Sequence, residues 1–135
     1  MNRNESRKVI MTILYQVFMY DNSKINYNLE DVIKENLSVD NDFVREIVTG
    51  VINNKKEIYK KANGYLKDWK LDRLGLTDQA ILCMGIYELL YTDTPDVVAI
   101  NEALELAKLY SDEKVKNMIN GVLDKIYHEK IDWFK

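Results

Sequence analysis

Residues 95–108 read PDVVAINEALELAK, and residues 120–125, after a short break, read NGVLDK. Proline suits the start of a helix, because its missing N–H would have no partner there, and Thr94 stands just before Pro95 as a possible N-cap. Apolar residues recur through both segments at the spacing of a helix with one buried face. We therefore predict two helices, whose apolar stripes are Val98, Ile100, Leu104, Ala107 and Leu109 in the first and Met118, Ile119, Val122, Leu123 and Ile126 in the second.

The same periodicity extends toward the N-terminus. It predicts a first helix from about Glu5 to Tyr20, a second near Leu29–Asn36, a third from an N-cap at Asp40 to about Leu66 with a bend near residues 53–54, and a helix through residues 81–90 capped by Thr77 or Asp78. Gly50 lies inside the third helix, where glycine costs about 1 kcal/mol relative to alanine. We interpret it as a point of close contact between helices.

The composition favours helices over strands. One proline and five glycines in 135 residues leave little room for many turns, so we predict an all-α fold. A chain of this length suits a single domain, residues 1–135. The segment WKLDRLG at residues 69–75 reads as a connection with a short turn of helix, and it separates an N-terminal half (about 1–68) from a C-terminal half (about 69–130).

Catalytic and metal-binding patterns are missing from the sequence. His128 is the one histidine and lies near the charged C-terminus. The sequence therefore offers little to serve as the general base that a nucleophilic side chain needs. There is no GxxxxGK or GxGxxG loop and no cysteine–histidine spacing for zinc. The one cysteine, Cys83, lies in an apolar run and is predicted to be a core thiol. We expect no catalysis, no cofactor and no bound metal.

Charge and hydropathy indicate where the protein works. The basic, partly apolar N-terminus resembles a signal peptide, but Thr12 and Gln16 interrupt it. No segment has the roughly 18 uninterrupted apolar residues that a membrane span needs, so we expect a cytoplasmic protein without a membrane partner. The net charge is −3, whereas nucleic-acid binders are usually basic. Any RNA contact must therefore come from local patches.

Two basic patches are candidates for such a contact. Arg3 and Arg7 are four residues apart and Lys8 is adjacent, so a helix would place the two arginines on one face, where guanidinium groups can bind phosphates. Residues 55–61, KKEIYKK, form the second patch. The alternative for the second patch is an ordinary solvated helix surface.

Several blocks of the sequence together resemble the NusB family of bacterial transcription antitermination factors. They are the two segments quoted first and, in the same order along the chain, RKVIMTILYQ (7–16), Gly50-Val51, residues 66–74 with Trp69, and ILCMGIYEL (81–89). The resemblance covers the chain up to about Ile126. It implies an all-α domain of about seven helices arranged as two helical-bundle halves.

The resemblance also implies a function. Members of the family bind the single-stranded boxA element of nascent ribosomal RNA leader transcripts, best as a complex with the ribosomal protein NusE. With NusA and NusG on RNA polymerase, that complex suppresses premature termination. The implied RNA-binding residues are Arg3, Arg7, Lys8, Tyr65, Lys116, Asn117 and Met118, and the implied NusE-facing residues are Tyr15 and Asp78.

Some of these positions have other interpretations. Asn4 stands where relatives often carry arginine, so the basic arm is thinner here, and Met118 stands where they carry phenylalanine. Met118 could equally be a core residue, Tyr15 a half-buried tyrosine and Asp78 a helix cap. The alternative for the whole protein is a helical protein–protein interaction module or homodimer without direct RNA recognition. A related helical domain also precedes an rRNA cytosine methyltransferase, but this sequence shows no methyl-donor site.

Overall fold

The computed structural model describes residues 1–133 and consists of seven α-helices over that range. Their bounds are α1 Arg3–Asn22, α2 Leu29–Asn36, α3 Asp42–Asn53, α4 Lys55–Asn63, α5 Leu76–Tyr91, α6 Asp96–Tyr110 and α7 Glu113–Trp133, with a short 3-10 turn at Leu71–Arg73 between α4 and α5. The prediction of an all-α domain of about seven helices is confirmed. None of the helices in this range is long and apolar enough to cross a membrane.

The predicted third helix is divided into α3 and α4 at Asn54. The Asn54 side-chain amide donates to the Gly50 carbonyl at 2.8 Å, and the Asn54 backbone N–H donates to the same oxygen at 3.0 Å. These bonds complete the C-terminal turn of α3. A new helix then starts at Lys55, which is the bend expected near residues 53–54.

The predicted caps are wrong at three helices. Asn41 caps α3 in place of Asp40, because the Asn41 side-chain oxygen accepts from the Val44 N–H at 3.0 Å while Asp40 pairs with Arg45. The helix α5 begins at Leu76 after Gly75, so neither Thr77 nor Asp78 is its cap. In α6 the N-cap position belongs to Pro95 itself and not to Thr94.

The helix α5 is the centre of the fold. Its residues 79–89 are all buried, and it packs against α1, α3, α4, α6 and α7. Apolar side chains on both sides of the seam at residues 69–75 belong to one continuous core, so the division into two halves stays a prediction. Cys83 is fully buried in α5 as expected for a core thiol, and burial raises the pKa of its thiol to about 12.

Gly50 is the point where α3 meets α5. A Cβ atom built at Gly50 would lie 2.0 Å from Cζ of Tyr87 and 2.2 Å from its hydroxyl oxygen, which confirms close helix contact at this glycine. We expect Gly50→Ala to lower the free energy of unfolding by about 1–3 kcal/mol, because the ring must leave its packed position. Urea denaturation monitored by circular dichroism measures this change.

Gly121, in the middle of α7, is the matched control. A Cβ built at Gly121 has no atom within 4 Å. Gly121→Ala should therefore raise the free energy of unfolding by roughly 0.5–1 kcal/mol through helix propensity alone. Equal effects at the two glycines would contradict the importance of the contact with Tyr87.

Candidate nucleic-acid interface

Arg7 is the most strongly paired residue of the N-terminal arm. Its Nε and one terminal nitrogen each donate to a Glu88 carboxylate oxygen at 2.8 Å, and the second terminal nitrogen lies 3.9 Å from Glu102. The Arg7 and Glu88 side chains are only 6% and 3% exposed. The hydrogen bonds from Arg7 to Glu88 raise the pKa of Arg7 further, although burial opposes this. Such bidentate, charge-assisted pairs are the strong class of ion pair.

The Arg7 side chain is largely buried, and its contact with RNA phosphates stays a prediction. The guanidinium of Arg7 points inward from α1 onto α5, and Arg7 also lines a groove of about 440 Å³ between the start of α1, Phe43 and the α5–α6 connection. Glu88, which is 81 positions away along the chain, neutralises the positive charge of Arg7. Arg7 therefore links α1 to α5 through a buried ion pair.

Arg3 lies one helical turn from Arg7 on the same face, as predicted. The helix α1 starts early enough for this because the Asn2 side chain accepts from the Glu5 N–H at 2.9 Å. The Arg3 guanidinium carbon lies 3.8 Å from the centre of the Phe43 ring, which is a cation–π geometry. Arg3 is exposed, and so is Lys8 on the neighbouring helix surface. The exposed cations of the arm are therefore Arg3 and Lys8.

A second groove brings together residues that are far apart in sequence. Tyr65 and Met118 both line a groove of about 310 Å³ between the α4–α5 connection and the start of α7. Trp69 is part of the same groove, and the Lys114 ammonium lies 5.3 Å from the centre of its ring. Tyr65 and Met118, both implied RNA-binding residues, therefore line the same groove.

The Tyr65 ring is held by its hydroxyl group. That hydroxyl donates to one Glu129 oxygen, and Lys61 donates to the other at 2.6 Å. Met118 is half-buried, packs against the core and still lines the groove, so both of its interpretations are compatible with the structure. Lys116 is half-buried and Asn117 is exposed on the same turns of α7, but neither lines this groove.

Tyr15 and Asp78 lie at the same end of the α1–α5 pair. The Arg7–Glu88 ion pair lies at one end, and Phe18 further along α1 contacts Tyr59, whose hydroxyl donates to Gln79. The helices α1 and α5 therefore run antiparallel, and Tyr15 lies toward the end of α5 that carries Asp78. Tyr15 is 39% exposed. The Asp78 carboxylate accepts a hydrogen bond from the Ser111 hydroxyl, which ties α5 to the α6–α7 connection.

Comparison with known proteins decides the family. The NusB family model matches residues 4–128. The chain belongs to the NusB family. A transcription antitermination protein NusB of Clostridium botulinum (strain Kyoto / Type A2) is 42% identical over 93% of this chain and 99% of its own length. The corresponding protein of Macrococcus caseolyticus is 39% identical over 96% and 99%.

Solved structures of NusB proteins have the same fold. NusB of T. maritima superposes with a TM-score of 0.84 at 31% identity, over 96% of this chain and 92% of that one. A crystal structure of the antitermination factors NusB and NusE in complex with double-stranded RNA matches with a TM-score of 0.77 at 25% identity, over 94% of this chain and 96% of that one. The resemblance seen in the sequence is confirmed.

Two side chains of this NusB family member were not identified as site residues from the sequence. In the sequence, Trp69 belongs to the segment that is predicted to be a connection, and Lys114 lies in the break between the two segments quoted first. Their proximity depends on how α7 packs beside the α4–α5 connection, which no local pattern shows. The available signal in the sequence was a tryptophan among the basic residues Lys67, Lys70 and Arg73.

Proposed function

We propose that the protein is an RNA-binding transcription antitermination factor, which binds the boxA element of nascent ribosomal RNA leader transcripts together with NusE. The observation that carries this proposal is the groove shared by Tyr65, Trp69, Met118 and Lys114. Aromatic rings beside cations are what single-stranded RNA requires, because unpaired bases stack on the rings while phosphates meet the cations. The structure of NusB and NusE in complex with double-stranded RNA, which has the same fold, supports RNA and NusE as partners.

The arm residues divide into two roles. Arg3 and Lys8 are exposed cations and contact RNA phosphates. Arg7 acts as a positioning residue: it fixes α1 on α5 and supports Phe43, over which Arg3 lies. Lys116 and Asn117 extend the RNA surface along α7 beyond Met118.

The partners follow from the same assignment. NusE binds the end of the α1–α5 pair that carries Tyr15 and Asp78, and the complex acts indirectly with NusA, NusG and RNA polymerase in the bacterial cytoplasm. The protein performs no catalysis in this role. Its contribution is to bind RNA and a protein partner at once.

The proposal is tested by fluorescence anisotropy with a boxA RNA and a scrambled RNA, with and without NusE. We expect selective binding that NusE strengthens. Arg3→Ala/Lys8→Ala should weaken it and reduce the slope of log K against log salt by about 1.4, since each phosphate contact to a single strand contributes roughly 0.7. Lys34→Ala/Lys108→Ala removes the same charge from exposed positions elsewhere and should change little. Equal binding of the two RNAs even with NusE would refute the proposal.

A further inference from the structure

Three grooves adjoin along the α4–α5 connection, and two aromatic side chains separate them. Tyr65 lines the first groove (about 470 Å³, beside α4) and the second (about 310 Å³, beside α7). Trp69 lines the second and the third (about 480 Å³, beside the 3-10 turn). The grooves and the two rings therefore form one continuous track on the surface.

The charge along this track is opposite to that of the whole chain. In the first groove Lys60 and Lys61 are balanced by Glu57 and Glu129. The second groove has three lysines (Lys67, Lys114 and Lys125) against one acid, Asp68. The third has Lys67, Lys70 and Arg73 against the same acid. A protein of net charge −3 thus concentrates cations on both sides of Trp69.

Trp69 has the environment of a stacking platform rather than of a core residue. It is 42% exposed although it is a large aromatic side chain, and the Lys114 ammonium lies 5.3 Å from its ring centre. An exposed indole offers a flat face to an unpaired base, and flanking cations can bind the phosphates on either side of that base. A duplex cannot use this arrangement, because its base faces are already stacked.

We propose that the third groove is a second RNA subsite, in which Trp69 stacks one base of a single strand and Lys70 and Arg73 bind the adjacent backbone phosphates. The inference rests on the proposed function. The third groove would bind nucleotides next to those held in the second groove, so the bound RNA would extend beyond Tyr65. Trp69 would then help to set the length of the RNA segment that the protein binds.

The test uses Trp69 as its own reporter. The described residues contain two tryptophans, Trp69 and Trp133, so Trp133→Phe leaves Trp69 as the sole source of indole emission. Anisotropy and emission are recorded in the same titration with a minimal boxA RNA and with boxA RNAs extended by four uridines at either end. We expect an extended RNA to quench Trp69 and to bind more tightly than the minimal RNA.

Substitutions then identify the groups responsible. Trp69→Ala should weaken binding of the extended RNA by about 5-fold to 150-fold, the range for loss of one stacked base, and should weaken binding of the minimal RNA by a smaller factor. Trp69→Phe should restore part of the loss, and Trp133→Ala, at an exposed tryptophan that lines none of the three grooves, should have no effect. Lys70→Gln/Arg73→Gln should reduce the salt slope by about 1.4 with the extended RNA only.

The outcomes separate this inference from the proposed function. Selective binding of every RNA in anisotropy, with unchanged Trp69 emission and no length dependence, would overturn the subsite and leave the proposed function standing. Loss of selective binding to all RNAs would overturn both. Equal quenching by poly-glutamate would also overturn the subsite, since it would show a general anion site. The emission measurement retains Trp69, so it stands even if Trp69→Ala fails to fold.

Discussion

Arg7→Ala should lower the free energy of unfolding by about 3–5 kcal/mol, because it leaves the Glu88 carboxylate buried without its partner. Glu88 is only 3% exposed at its side chain, and both of its oxygens accept from Arg7 at 2.8 Å. Water cannot easily replace two charge-assisted hydrogen bonds at that depth. Urea denaturation of the wild type and the variant, followed by circular dichroism, measures the loss.

Two controls distinguish the ion pair from a general effect of charge. Lys8→Ala removes a neighbouring exposed cation and should change the free energy of unfolding by less than about 0.5 kcal/mol. Arg7→Met/Glu88→Leu replaces both charges by apolar side chains of similar length and should recover most of the stability. A loss at Arg7→Ala no larger than at Lys8→Ala would show that the pair does not contribute.

The buried pair changes how RNA-binding data on the arm are to be interpreted. A variant in which Arg3 and Arg7 are both replaced loses an exposed cation and a structural ion pair together. Weaker RNA binding by that variant would not separate a lost phosphate contact from displacement of α1. The Arg3→Ala/Lys8→Ala variant instead removes two exposed cations and leaves the contact between Arg7 and Glu88 in place.

Helix positions were predictable because many residues contribute to each one. The apolar stripes of α1 and α2 each contain several residues at helical spacing, so no single residue decides the prediction. The helix α2 was predicted with its observed bounds, Leu29–Asn36. Caps depend on one side chain and its geometry. Asp40 and Asn41 are both good cap residues, and only the position of Arg45, which pairs with Asp40, leaves Asn41 as the cap.

The site residues were harder to assign, since their roles depend on contacts between distant segments. Arg3 and Arg7 look equivalent in the sequence, four residues apart on one helix face. Glu88 distinguishes them, and nothing near residue 7 indicates that a carboxylate from α5 will be there. In the same way, Tyr65 and Met118 meet only because α7 packs beside the end of α4.

Tyr65→Ala should weaken binding of boxA RNA by about 5-fold to 150-fold, the range for loss of one base stacked on an aromatic ring. The ring lines two of the three grooves, and hydrogen bonding of its hydroxyl to Glu129 fixes its orientation before RNA arrives. A ring fixed in advance loses less conformational entropy on binding than a free one. Anisotropy titrations with NusE present measure the change.

Tyr65→Phe separates the ring from its hydroxyl group. If stacking provides the affinity, the phenylalanine variant should bind within a few-fold of the wild type, because it keeps the aromatic face and loses only the bond to Glu129. If it binds as weakly as Tyr65→Ala, orientation by Glu129 matters more than the ring itself. Glu129→Gln then decides between the two, since the amide can still accept the hydroxyl hydrogen bond while it no longer repels RNA phosphates. Binding by Glu129→Gln close to that of the wild type would show that the hydrogen bond, which the amide retains, serves to position Tyr65.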